Sequence, residues 1–119
     1  MSLVIFYIGG RVKSIEAFTK EFKSYNEEIE GQSVEDFIVF GGCKINIRYQ
    51  GAPADEAYQN LECEIKANGE EGISFIELMY QFNNCAHKYL TDCDHHFFEG
   101  LRYISIKDEV LILSIRLGS

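Results

Sequence analysis

Two segments in the middle of the chain alternate strictly between apolar and polar residues, from Cys43 to Gln50 and from Leu61 to Asn68. Successive side chains of a strand point to opposite faces, so this alternation predicts two strands that each bury one face and expose the other. We expect the second strand to run antiparallel to the first and to continue its polar surface. The Gly41-Gly42 pair follows the apolar run 37–40 and predicts a hairpin with the first strand.

Two other segments repeat apolar residues at helical spacing. The first begins at Ser14, a favourable N-cap, and is expected to stop at Gly31. Its apolar stripe consists of Ile15, Phe18, Phe22, Tyr25 and Ile29. The second begins with Ser74 and Glu77, which form a capping-box pattern, and is expected to run to about Leu90.

The second predicted helix is apolar around most of its circumference, which places it at the centre of the core. Asn83 lies on its apolar side and therefore needs a hydrogen-bond partner, because an unpaired buried amide costs about 1–3 kcal/mol. The helix has a single polar stripe, made of Glu77, Gln81, Asn84 and Lys88.

The ends of the chain also predict strands. Leu3–Ile8 is a continuous apolar run typical of a strand buried on both faces. Leu101–Ile106 and Val110–Leu117 are expected to pair around Lys107–Glu109. The predicted order is β-α-β-β-β-α-β-β, an α+β fold with two helices packed on a mainly antiparallel sheet. We expect residues 1–119 to form a single domain.

Composition narrows the classes of function. The chain has 119 residues, with 19 acidic against 11 basic residues and a net charge of -8. This balance argues against binding to nucleic acid or to an anionic membrane surface, since both require a basic footprint. The four cysteines form no C-x-x-C pair, and the apolar N-terminal run is too short for a signal peptide or a membrane span. We therefore expect reduced thiols and a cytoplasmic protein.

The densest group of chemically active side chains is Asp94-His95-His96-Phe97-Phe98-Glu99-Gly100, with Cys85, His87 and Cys93 just upstream. These residue types bind zinc or form Cys–His nucleophilic pairs. On a helix, however, Cys85 and His87 point about 200° apart, and in an extended segment His95 and His96 face opposite sides. We predict no metal and no cofactor. A small metal-dependent or Cys–His enzyme centred on residues 85–99 stays as an alternative.

A second candidate site is acidic. Six carboxylates lie within a short span in which Lys66 is the opposing charge, and on the expected strand Glu62 and Glu64 share the outward face. Such a face would attract a basic partner, although a charged sheet face is often simply solvated. The candidate partner-binding residues are Asp55, Glu56, Glu62, Glu64, Glu70 and Glu71.

Two segments carry a resemblance to a known class of proteins. The run 75–84 (FIELMYQFNN) followed by 94–101 (DHHFFEGL) resembles a pattern of small bacterial immunity proteins that accompany polymorphic or contact-dependent toxins. The resemblance implies a cytoplasmic inhibitor without catalytic activity that binds one cognate toxin domain, such as a basic nuclease, and blocks its active site. It makes residues 94–100 a family motif. A structural or regulatory subunit that forms a homodimer through a sheet edge is a further alternative.

Overall fold

The computed structural model describes residues 14–25, 38–51, 59–90 and 97–118, with side chains at 14–20, 38–51, 59–87, 89 and 100–116. These ranges contain two helices, α1 (Ile15–Tyr25) and α2 (Phe75–Leu90). They also contain six strands: β1 (Ile38–Phe40), β2 (Lys44–Gly51), β3 (Gln59–Lys66), β4 (Ile73–Ser74), β5 (Phe97–Lys107) and β6 (Val110–Gly118). The α+β class is confirmed. The predicted strand Leu3–Ile8 and the helix stop at Gly31 lie outside the described residues.

Within the described residues, the main sheet has four strands in the order β3-β2-β6-β5. β2 and β3 are antiparallel, as predicted, and so are β5 and β6. The central pairing of β2 with β6 is parallel, and no local pattern in the sequence indicated it. This pairing brings the C-terminal hairpin against the middle of the chain and makes a single continuous surface of the four strands.

The prediction of a hairpin around Gly41-Gly42 is wrong. β1 pairs with β4 in a separate two-stranded sheet, with Ile38 opposite Ser74 and Phe40 opposite Ile73. The pairing positions of β2 are instead taken on one side by β3 and on the other by β6. Gly72, with φ of 91°, lets β4 approach β1 closely: a side chain there would overlap the Phe40 carbonyl oxygen.

The core lies between the main sheet and α2. Ile45, Ile47 and Tyr49 of β2 face the helix and are buried, as are Leu111 and other alternate residues of β6. The ring of Tyr49 packs edge-on against Phe82 of α2 at 5.1 Å. α1 packs on α2 through an edge-on contact of Phe18 with Tyr80, whose ring centroids lie 5.6 Å apart.

α2 begins and ends at the predicted residues. Ser74 Oγ accepts a hydrogen bond from the Glu77 backbone N–H at 3.2 Å, which is half of the predicted capping box. The Glu77 carboxylate completes a different contact, accepting from the Asn68 backbone N–H at 2.9 Å. Asn83 is buried and donates to Asn84 Oδ1 at 3.3 Å, so the partner expected for this amide is present.

β5 and β6 form a hairpin with Asp108 and Glu109 as the two loop residues, at φ of 53° and 67°. Two consecutive positive φ values match the right-handed twist of the flanking strands. The ladder contains an extra residue between Tyr103 and Ser105, which is Ile104. In the described ranges, no helix is long and apolar enough to cross a membrane.

Candidate functional site

The predicted acidic residues do not form one surface in the described structure. Glu62 and Glu64 both point to the face of the sheet opposite α2, called the open face below. Glu70 and Glu71 are exposed in the turn between β3 and β4. Asp55 and Glu56 lie outside the described residues. The structure therefore places Glu62 and Glu64 together as expected, and it shows Glu70 and Glu71 off the strand.

The two carboxylates of the open face already have partners within the protein. Glu64 Oε1 lies 3.9 Å from Lys44 Nζ and 3.7 Å from Lys66 Nζ, in ion pairs that are about half exposed. Glu62 Oε2 accepts a hydrogen bond from Asn46 Nδ2 at 2.7 Å. Exposed ion pairs of this kind contribute about 0–1 kcal/mol each. The two lysines offset the charge of Glu64, whereas Glu62, bound to a neutral amide, keeps its negative charge.

Basic side chains outnumber acidic ones on the described part of the open face. Burial alternates along β2, β3 and β6, and the register extends that alternation to β5, which identifies the residues on this side. The acidic members are Glu62 and Glu64. The basic members are Lys44, Arg48, Lys66, Arg102, Lys107 and Arg116.

One row of residues crosses all four strands at the middle of the open face. Glu62 on β3 lies opposite Arg48 on β2, Arg48 lies opposite Ser114 on β6, and Ser114 lies opposite Arg102 on β5. Arg48 and Arg102 are exposed, and Ser114 between them is half-buried. Neighbouring strands are about 4.8 Å apart, so the backbones of the two arginines lie about 10 Å apart. Only the small side chain of Ser114 stands between them.

Arg48 faces a carboxylate across the ladder but does not bind it. The Glu62 side chain is turned to Asn46 instead, and the Oδ1 atom of Asn46 is buried without a hydrogen-bond partner. Among the described residues, neither the Arg48 nor the Arg102 guanidinium makes an ion pair or a hydrogen bond. As far as the structure describes the chain, both groups keep their full set of donors for another molecule.

A groove of about 900 Å³ lies over this row. Its lining is mixed rather than uniformly charged. The polar residues that line it are Arg48, Gln50, Asn60, Glu62, Arg102, Ser114 and Arg116. Ile104, at the extra position of β5, adds an exposed apolar side chain, and Gly100 leaves open space beside its Cα.

The sequence predicted part of this surface. Arg48 stands on the polar side of an alternating strand, and its exposure was expected. Arg102 and Arg116 were missed, although Leu113 and Ile115 alternate with the polar residues Ser114 and Arg116. The alternation predicts on which face of the sheet a residue lies. It does not predict which residue lies beside it on the next strand, because the parallel β2–β6 pairing joins residues far apart in the chain.

The histidine-rich run is only partly described. Cys93, Asp94, His95 and His96 lie outside the described residues. Phe97, Phe98, Glu99 and Gly100 begin β5, which therefore starts before Leu101, the first residue of the predicted strand. Cys85 and His87 are partly exposed on α2, and no group of three or more metal-binding side chains occurs in the described ranges.

Cys63 is a buried thiol that the sequence did not single out. Burial raises the pKa of the Cys63 thiol well above its usual range, and the neighbouring Cys85 raises it further. Burial likewise raises the pKa of the Tyr49 hydroxyl, with Cys63 and Cys85 adding to the effect. Both groups stay protonated at neutral pH. A thiol held in this form is a poor nucleophile and a poor metal ligand.

We compared the chain with protein-family models, with curated proteins and with solved structures, and none of the three comparisons gave a match.

Proposed function

We propose that this chain is a binding protein without catalytic activity, and that it acts as an immunity protein that neutralises a cognate toxin domain. The observation that carries the proposal is the open face itself: an exposed groove with two guanidinium groups that have no partner among the described residues. Charges that are buried or paired within a protein contribute to its stability. Exposed arginines without such partners, at the centre of a groove, favour a contact with another molecule.

The chemistry of the groove supports binding over catalysis. In its described lining, the ionisable side chains on the open face are Arg48, Arg102, Arg116 and Glu62. The Glu62 carboxylate accepts from an amide of the chain, and a guanidinium group offers N–H donors but no acceptor atom. A nucleophile with a base beside it, which most covalent mechanisms need, is not among these groups.

The mixture of residues in the groove also supports a protein partner. Guanidinium, amide, hydroxyl and carboxylate groups lie beside the exposed apolar side chain of Ile104. Interfaces between proteins combine such polar groups with apolar contacts and are enriched in arginine. The acidic balance of the chain favours a toxin that is basic overall. Such a toxin can still present a local acidic segment to the groove.

The experiment uses the protein encoded by the gene adjoining this one as the probe, because immunity proteins of this class accompany their toxins. We expect the adjoining product to arrest growth when expressed alone, the present chain to restore growth, and the two purified proteins to form a 1:1 complex. Arg48→Glu should weaken both protection and the complex, whereas Lys20→Glu, an exposed position on α1, should weaken neither.

Loss of protection in the Lys20→Glu control, or full protection by the Arg48→Glu variant, would show that the partner does not bind through the groove. An adjoining product that neither arrests growth nor binds the purified chain would contradict the proposed function.

The homodimer alternative is favoured by one specific observation. Among the strands that the structure describes, β5 is at the edge of the main sheet, and it carries the exposed side chains of Tyr103, Ile104 and Ile106. Exposed edge strands pair readily with other strands, although the extra residue at Ile104 interrupts the regular ladder. Light scattering distinguishes a monomer from a homodimer. A wild-type dimer that Ile106→Lys converts to a monomer would support the homodimer alternative, and a wild-type monomer would exclude it.

A further inference from the structure

We propose that Arg48 and Arg102, with Ser114 between them, clamp a carboxylate group from an aspartate or glutamate side chain on an acidic segment of the bound protein. This inference rests on the proposed function, because it assumes that the partner is a protein. It assigns the recognition chemistry to one row of the sheet rather than to the acidic residues of the strands.

The geometry of the row fits one anion between two arginines. The residues lie on three adjacent strands, and Ser114 is the central one. A guanidinium presents its N–H donors in a planar fork that matches a carboxylate, so two long side chains leaning over Ser114 can bind the two oxygens of one group. The Ser114 hydroxyl adds a donor from the floor of the groove.

The protein supplies no internal counter-ion for this pair of charges within its described residues. Glu62, the register partner of Arg48, is bound to Asn46, and Glu64 is bound to Lys44 and Lys66. The clamp is therefore available to an external carboxylate without first breaking an ion pair. Charge complementarity then predicts an acidic occupant.

A protein carboxylate fits the groove better than nucleic acid does. Glu62 lies in the same row as the two arginines and would repel a continuous phosphate backbone. The described side chains on the open face include no aromatic ring on which a base could stack, since Tyr103 pairs with Leu113 on the opposite side of the sheet. The net charge of -8 adds a long-range repulsion that is greater for a long nucleic acid than for a short acidic segment.

The test titrates the full chain with a short polyglutamate peptide and follows the side-chain Nε–Hε signals of its arginines by NMR. We expect saturable shifts of the Arg48 and Arg102 signals and of the Ser114 amide. The double variant Arg48→Gln/Arg102→Gln should weaken binding about ten- to hundredfold, because two charge-assisted contacts are lost. A matched control is Lys44→Gln/Lys107→Gln, which removes the same charge elsewhere on the same face and should change affinity less than about threefold.

A conservative variant separates the fork geometry from charge alone. Arg48→Lys keeps the charge but removes the planar fork, so we expect it to weaken binding about as much as Arg48→Gln does. Equal weakening by the two double variants would overturn the clamp in favour of a diffuse basic surface. A thermal unfolding midpoint within a few degrees of wild type confirms that each variant is folded.

Further arms of the titration distinguish the source of the anion. Inorganic phosphate or a short oligothymidylate that binds Arg48 and Arg102 more tightly than the peptide would overturn the assignment to a protein carboxylate. Absence of any shift with the peptide would overturn the clamp itself. A complex with the adjoining gene product that forms normally with the Arg48→Gln/Arg102→Gln variant would reject the clamp but leave the proposed function standing, whereas peptide binding without that complex would do the reverse.

Discussion

The side-chain amide of Gln81 on α2 makes two hydrogen bonds with the backbone of Lys66 at the end of β3. Gln81 Oε1 accepts from the Lys66 N–H at 2.9 Å, and Nε2 donates to the Lys66 carbonyl oxygen at 2.6 Å. Glu77, one turn earlier, accepts from the backbone of Asn68. The polar stripe of α2 therefore ties the helix to the edge of the sheet, in contrast to the solvent exposure that a polar stripe ordinarily indicates.

Replacing Gln81 with alanine should lower the free energy of unfolding by about 1–2 kcal/mol, because the Lys66 backbone groups lose both partners. Urea denaturation monitored by circular dichroism measures the change. Gln50→Ala, on the exposed side of β2, is the matched control and should shift stability by less than about 0.5 kcal/mol. Equal effects of the two substitutions would show that the hydrogen bonds of Gln81 with Lys66 do not contribute to stability.

Gly72→Ala should destabilise the fold by about 2–3 kcal/mol, since alanine is strained at a positive φ and its Cβ would meet the Phe40 carbonyl oxygen. Thermal denaturation gives the change. Gly69→Ala in the same turn region is the control, because no atom lies within 4 Å of a Cβ at that position. A Gly72→Ala protein as stable as wild type would argue against the pairing of β1 with β4.

Glu109→Gly should stabilise the protein by about 0.5–1 kcal/mol. Glu109 has a φ of 67° in the two-residue loop of the last hairpin, and glycine adopts that conformation without steric cost. The midpoint of unfolding should rise. A lower midpoint would mean that the loop has another geometry or that the Glu109 side chain makes a stabilising contact.

Cys63 should resist thiol reagents in the folded protein at pH 8, while Cys43, which is exposed, reacts quickly and serves as an internal control. Mass spectrometry of the alkylated peptides gives both rates.

Because folding raises the pKa of Cys63 and Tyr49, the unfolded chain releases these protons at lower pH than the native protein. Stability is thus fully present below the ordinary thiol pKa of about 8.5 and should fall as the pH rises above it. Constant stability between pH 8 and 10 would contradict this.

Local patterns predicted the parts of the fold that depend on neighbouring residues. The cap at Ser74 and the apolar periodicity after it determine α2 within one segment, and strict alternation determines which residues of β2 and β3 are exposed. The Asp108-Glu109 loop was likewise predictable, because it joins two alternating apolar segments with very few residues between them.

The pairing of strands was less predictable. Gly41-Gly42 favours a hairpin, yet β1 pairs with β4 because Gly72 permits a close approach that no local pattern reveals. The parallel contact of β2 with β6 decides which arginines meet on the open face. The sequence indicated Glu62 and Glu64 as a binding surface, whereas side chains of β2 and β3 contact both carboxylates and Arg48 and Arg102 are exposed.

Amide chemical-shift mapping of the labelled chain, in the presence of the adjoining gene product, tests most directly whether the partner binds in the groove. We expect the largest changes at residues 48–50 of β2, 100–104 of β5 and 114–116 of β6, which line the groove, and small changes in α1. Changes confined to α1 and the exposed turn at Glu70 and Glu71, with the three groove segments unperturbed, would contradict it.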